Sequence, residues 1–161
     1  MKRGLLLSEF FKIVNDQKTD EERFNLLKSE PSPIVKAVLE LNFHPNIKWL
    51  LPEGSPPFKR EVEQPIGYQQ TTLEKEYRRL YIFFDAKQGV PGMKRESLFI
   101  DMLEGLHYTE ADLLLAAKDR KLGELYPNIH EQLVRIVFPD LLPAKVVEEP
   151  KKKKGRPKKE K

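Results

Sequence analysis

The chain has 161 residues, with 29 lysines and arginines against 25 aspartates and glutamates, a net charge of +4 and no cysteine. That length suits one domain, and the lack of thiols excludes disulfides, thiolate nucleophiles and cysteine-based metal sites. The charge is unevenly placed: residues 151–161 hold eight cations and one carboxylate, +7 in all, which leaves −3 on residues 1–150.

The chain opens on Met1-Lys-Arg-Gly-Leu-Leu-Leu7, in the manner of a secretory signal. The apolar run stops at Ser8-Glu9, too short for a signal core. No stretch reaches the length of a membrane span. Leu6, Phe10, Ile13 and Val14 recur at helical spacing and predict a first helix over 5–16. Thr19-Asp-Glu-Glu22 reads as a capping box, the Thr19 hydroxyl and Glu22 carboxylate satisfying free N–H groups of a second helix. Its apolar side is Phe24, Leu26 and Leu27, and Pro31 ends it. Ser32-Pro33 supplies a cap and first residue for a third helix lined by Ile34, Val35, Val38, Leu39, Leu41 and Phe43.

Residues 44–70 break the pattern, because Pro45, Pro52, Pro56, Pro57 and Pro65 forbid regular helix. The segment holds the single tryptophan in Ile47-Lys48-Trp49-Leu50-Leu51. Trp49 and Leu51 are expected to pin its first half to the helices, with 54–70 looser. Trp49 is also the candidate anchor for a protein partner, since tryptophan is favoured at the centres of interfaces. Thr71-Thr-Leu-Glu74 offers a further capping box, before a helix with a stripe of Leu73, Tyr77, Leu80, Tyr81 and Phe84. Arg78 and Arg79 point off that stripe, as a solvated face or as a phosphate contact.

Gln88-Gly-Val-Pro-Gly92 reads as a turn. A helix from Lys94 to Leu106 follows, with Leu98, Phe99, Met102, Leu103 and Leu106 inside and Gly105 weakening its last turn. Thr109-Glu-Ala-Asp112 begins a helix whose consecutive leucines cover more than one face, so it should lie centrally. Gly123 ends that region. Asn128-Ile-His-Glu131 caps a last helix carrying Leu133, Val134, Ile136, Val137 and Phe138, stopped by Pro139 and Pro143. The expected fold is all-α, one domain of six or seven short helices over 1–139 with the proline-rich loop inside it. A linker over 140–150 and a disordered basic tail over 151–161 complete the chain.

The tail reads Lys151, Lys152, Lys153, Lys154, Gly155, Arg156, Pro157, Lys158, Lys159, Glu160, Lys161. A charge block of this density repels itself and buries nothing. Gly-Arg-Pro between lysines resembles the AT-hook, which lies extended in the minor groove of A·T-rich DNA. Glycine lets the backbone approach the groove floor, and Pro157 holds Arg156 away from helix. A narrow A·T groove attracts an inserted arginine, while the flanking lysines neutralise phosphates. Lys154 stands where the strongest form of the motif has a second arginine. The other reading of the tail is a solubilising or localising segment, or one that folds back on the acidic body.

Phe43-His-Pro-Asn-Ile-Lys-Trp-Leu-Leu-Pro-Glu-Gly54, Pro56-Pro57, Arg78-Arg79-Leu80-Tyr81, Leu98 to His107 and Leu113 to Leu122 together resemble a family of small uncharacterised proteins of T-even-type tailed bacteriophages. The resemblance spans roughly residues 5–140. It implies a phage protein made in a bacterial cytoplasm, with no activity and no catalytic residues attached.

His44, His107 and His130 are scattered without zinc spacing. His107 is expected at a helix C-terminus and His130 exposed in a first turn. Asp101 and Glu104, three apart on a helix, read as a solvated face rather than an acid–base pair. No phosphate-binding glycine loop and no nucleophile elbow is present. The expectation is a non-enzymatic protein without cofactor or metal. It would meet DNA weakly through residues 151–159 and a phage or host protein through its body, with no membrane contact and with its oligomeric state open. The alternative is an adaptor or virion-assembly factor that recognises its partner through Trp49 and residues 44–70.

Overall fold

The computed structural model describes residues 5–29, 32–85 and 89–143. Its α-helices are α1 (Leu7–Asn15), α2 (Asp20–Ser29), α3 (Pro33–Phe43), α4 (Leu73–Glu76), α5 (Gly92–Gly105), α6 (Tyr108–Lys118), α7 (Leu122–Leu125) and α8 (Glu131–Val137), with a 3₁₀ helix over Tyr77–Phe83. No strand occurs among the described residues, so the domain is all-α as the periodicity predicts. The helix beyond the expected number is α7, a single turn beginning beside Gly123, where the sequence reading ends a region.

Most boundaries follow the local signals. Thr19 and Glu22 form the expected box: Glu22 N–H donates to Thr19 Oγ1 at 3.2 Å and Thr19 N–H to Glu22 Oε1 at 3.2 Å. Pro33 starts α3, although the Ser32 side chain caps nothing. The stripe of α1 is Leu7, Phe10, Phe11 and Val14, all buried, and Ile13 is 42% exposed. Spacings of three, four and seven place those four on one face and leave Ile13 off it.

The stretch after Thr72 departs further from expectation. Thr72, not Thr71, is the cap, its hydroxyl accepting from Lys75 N–H at 3.3 Å, while Thr71 Oγ1 donates to Glu76 at 2.7 Å. One α-turn then tightens into 3₁₀, where residues three apart eclipse. Tyr77, Leu80 and Phe83 therefore share the inward side, with Leu80 and Phe83 buried and Tyr81 exposed. Arg95 fastens the end of this helix, donating to Ile82 O at 3.1 Å and Val90 O at 2.8 Å.

Helix α6 is central, touching α1, α3, α5 and α7, while α2 packs on α1 and α8. Ala111, Leu113, Leu114 and Ala117 are fully enclosed. Asn128 does not cap α8. It closes the end of α1 through Asn15, donating from its N–H at 2.8 Å and from Nδ2 at 2.9 Å. His130 is the cap instead, its Nδ1 accepting from Leu133 N–H at 3.2 Å. Leu142, within the stretch read as linker, is buried in the core.

Candidate interaction surface on the proline-rich segment

A chain with five prolines between 44 and 70 cannot satisfy its own backbone groups by helix, so those groups need partners elsewhere. The end of α6 supplies them first. Arg120, at φ 60, reaches back to the end of α3 and donates to Asn42 O at 3.1 Å, His44 O at 2.6 Å and Ile47 O at 2.6 Å. Leu50 N–H donates to Phe83 O at 2.8 Å. The Lys118 side chain is 1% exposed; its Nζ donates to Pro52 O at 2.7 Å and to Asp119 Oδ1 at 2.7 Å, and Asp119 Oδ2 accepts from Gly54 N–H at 3.0 Å. The run Lys118-Asp119-Arg120 at the end of α6 thus holds the whole first half of the segment. Local propensity carries no trace of that role, because its acceptors lie some 66 to 78 residues away.

Trp49 belongs to this first half and to the core. It stacks on Phe83 at 6.3 Å and meets Phe84 at 5.7 Å and Phe99 at 6.3 Å edge-on. Its Nε1 is buried with no hydrogen-bond partner among the described residues. Leu51 is half-buried against the same core, so the expected pinning holds. The ring is half-buried, and its remaining surface lines an open groove with Pro45, Ile47 and Leu51.

The second half is not loose. Lys59 N–H donates to Glu104 Oε2 at 2.8 Å, and Arg60 grips Asp112 through Nε at 2.9 Å and Nη2 at 2.5 Å, with its guanidinium 5.0 Å over Tyr108. His107 Nε2 lies 2.9 Å from Gln64 O. A carbonyl only accepts, so the ring proton sits on Nε2 and leaves Nδ1 to accept from Thr109 N–H at 3.3 Å. His107 is therefore a buried N-cap of α6 and not the partner of a helix C-terminus. Thr71 N–H closes the segment on Gly105 O at 3.0 Å. A Cβ on Gly105 would meet Thr71 Cγ2 at 3.2 Å, so this glycine permits the close approach. Glu104, read as solvated, is exposed yet fastens the loop, while Asp101 is simply exposed.

Held at these points, the segment presents Val62 (50% exposed), Ile66 (46%) and Tyr68 (75%) to solvent, beside Glu61 and Glu63. Three large apolar side chains within seven residues are thus left half to three-quarters exposed. They are the body's candidate contact surface, and nothing in their local sequence sets them apart from Trp49 and Leu51. Tyr68→Ala should change stability by less than about 0.5 kcal/mol in a thermal melt, as surface changes do. A larger loss would mean that the ring is packed.

Beneath the segment lies a polar clasp that sequence reasoning missed. Glu110 is 0% exposed and accepts from two helix starts, Leu7 N–H of α1 and Leu73 N–H of α4, each at 3.0 Å. Ser8 Oγ meets Thr109 Oγ1 at 2.9 Å beside it, and Tyr126 lies near, its hydroxyl pushed up to about 12, mainly by burial. The signal for Glu110 was present: Leu113, Leu114 and Ala117 follow it at three, four and seven residues, which puts the carboxylate on the core face of α6.

Residues 151–159 lie outside the described residues. Arg78 and Arg79 are exposed, Arg78 over the Tyr77 ring at 5.8 Å and Arg79 paired with Glu76 at 2.8 Å. Among the described residues no cluster of three or more His, Cys, Asp or Glu could hold a metal, and no helix is long and apolar enough to cross a membrane.

These features define a class: an all-helical scaffold that straps a long irregular segment across its central helices. The chain belongs to a family of unknown function, DUF6433, whose sequence pattern matches residues 10–124. The match takes in the strapped segment and, of the clasp, Leu73, Thr109 and Glu110, and stops before α8 and the basic tail. No curated protein and no solved structure matches the chain.

Proposed function

We propose that this protein is a non-enzymatic, DNA-associated protein of a tailed bacteriophage, tethered to DNA by residues 151–161 and binding a protein partner through its helical body. The observation that carries this reading is the charge separation, +7 on those residues against −3 on the rest, with Gly155-Arg156-Pro157 at the centre of the cluster. Arg156 is the residue for the minor groove, and the lysines from 151 to 159 are the phosphate contacts. The partner surface is Val62, Ile66 and Tyr68. The exposure of those three side chains also favours a second reading, an adaptor or assembly factor whose tail only adds solubility.

Titration of A·T-rich and G·C-rich duplexes tests the first reading. An isolated tail should bind in the range of non-specific contacts, about 10⁻⁴–10⁻⁶ M at physiological salt, and five phosphate contacts give a log–log salt slope near −4 to −5. Arg156→Ala should erase an A·T preference if the side chain enters the groove, and should lower affinity on every duplex alike if it touches only phosphate. Deleting 151–161 should abolish DNA binding and leave partner binding intact. Unchanged DNA binding after the deletion would sink the tether and leave the adaptor.

A further inference from the structure

The described chain ends at Pro143, whose carbonyl accepts from Arg135 Nη1 at 2.7 Å. Lys151 follows Pro143 by eight residues, so it lies at most about 28 Å away. That is less than one turn of B-DNA, about 34 Å. A duplex gripped by the tail therefore stays within about one helical turn of Pro143, which puts the face that holds residues 137–143 within its reach.

That face carries an open groove of about 310 Å³ between α2, α3 and the end of α8. Lys28 and Lys36 line it, both exposed, with Asp140 as the carboxylate among its lining residues. Lys36 Nζ sits 5.4 Å over the Phe138 ring, which holds the ammonium at the groove wall. Arg78 lines a different groove, with Ser32, Pro33, Ile34 and Glu74, and Arg79 is engaged by Glu76.

We infer that the groove formed by Lys28, Lys36 and residues 137–141 is a phosphate-binding site of the body that continues the DNA path of the tail. It rests on the tail reading. Two additional phosphate contacts should steepen the salt slope by about 1.8 beyond that of the tail, and raise affinity roughly ten- to thirty-fold at physiological salt.

The test compares four forms of the full chain on one duplex at several salt concentrations. These are the wild type, Lys28→Gln with Lys36→Gln, Lys28→Arg with Lys36→Arg, and Arg78→Gln with Arg79→Gln. The tail-deleted chain is run beside them, and thermal melts confirm folding. The glutamine pair in the groove should reduce the slope by about two and the arginine pair should restore it, while the change at 78 and 79, which removes the same charge, leaves the slope alone. An unchanged slope for the Lys28/Lys36 glutamine variant, with binding lost on tail deletion, overturns the groove and keeps the tether. Equal losses from both glutamine pairs would show a general charge effect and overturn the groove as well. Binding that survives tail deletion removes the tether itself, and the continuous path with it.

Discussion

Glu110→Ala should destabilise the protein by about 3 kcal/mol or more. The carboxylate is fully enclosed and serves the first N–H of both α1 and α4. Each N–H left buried without a partner costs roughly 1–3 kcal/mol. Relief of the carboxylate's own desolvation offsets part of the loss. Glu110→Gln keeps one acceptor but turns an amide N–H₂ toward the second donor, so it should fall between the wild type and alanine. Denaturant melts rank the three, and an alanine variant within 0.5 kcal/mol or so of wild type would mean that the two helix starts find other partners.

The same residue sets a pH dependence. Burial, the largest influence, raises the Glu110 carboxyl above its ordinary value of 4.5; the N–H groups of Leu73 and Leu7 pull it down, and the charges of Glu74 and Glu9 push it up again. A folded-state value above the unfolded one means that the folded protein binds the proton more tightly. The stabilisation from that proton is complete below the unfolded value and is lost as pH rises through the folded one. Wild type should therefore gain stability relative to Glu110→Gln as pH falls from neutral toward 4.5. Taking the difference between the two proteins removes the other carboxylates. A difference that shrinks on acidification would show that the two N–H groups outweigh burial.

Trp49→Ala should cost about 3 kcal/mol, the lower end for truncation of a large aromatic, because the ring is half-buried. The loss comes from its contacts with Phe83, Phe84 and Phe99 and from the cavity left at the root of the strapped segment. Trp49→Phe should cost much less, about 1 kcal/mol or under, since it keeps an aromatic ring and removes the partnerless Nε1 donor. Thermal melts of both variants check this, and partner binding at Val62, Ile66 and Tyr68 should survive in Trp49→Phe. A loss of only a few tenths of a kcal/mol in Trp49→Ala would remove Trp49 from the core.

What the sequence by itself determined is the helical body and the charge of its tail. Both are written in neighbouring residues: the helical spacing of Leu6, Phe10 and Val14, though the fold takes Leu7 and Phe11 rather than Ile13 into the stripe, the box of Thr19 and Glu22, Pro33 at the start of α3, and eight cations in eleven residues. Such signals act over one or two turns of chain, and tertiary packing only confirms them. The course of residues 44–72 was decided by tertiary structure alone. An irregular backbone has no periodic pattern to read, and its donors and acceptors are met by Glu104, His107, Asp112, Lys118, Asp119 and Arg120, all more than thirty residues further on. The change from α to 3₁₀ after Glu76 belongs with it, because the aromatic cluster around Phe83 selects a threefold repeat over the α-helical one that the stripe of Tyr77, Tyr81 and Phe84 suggests. Exposure too is a property of the fold: Trp49 and Tyr68 are both aromatic residues in one proline-rich stretch. Only the docking of that stretch on α5 and α6 turns the first inward and leaves the second 75% exposed.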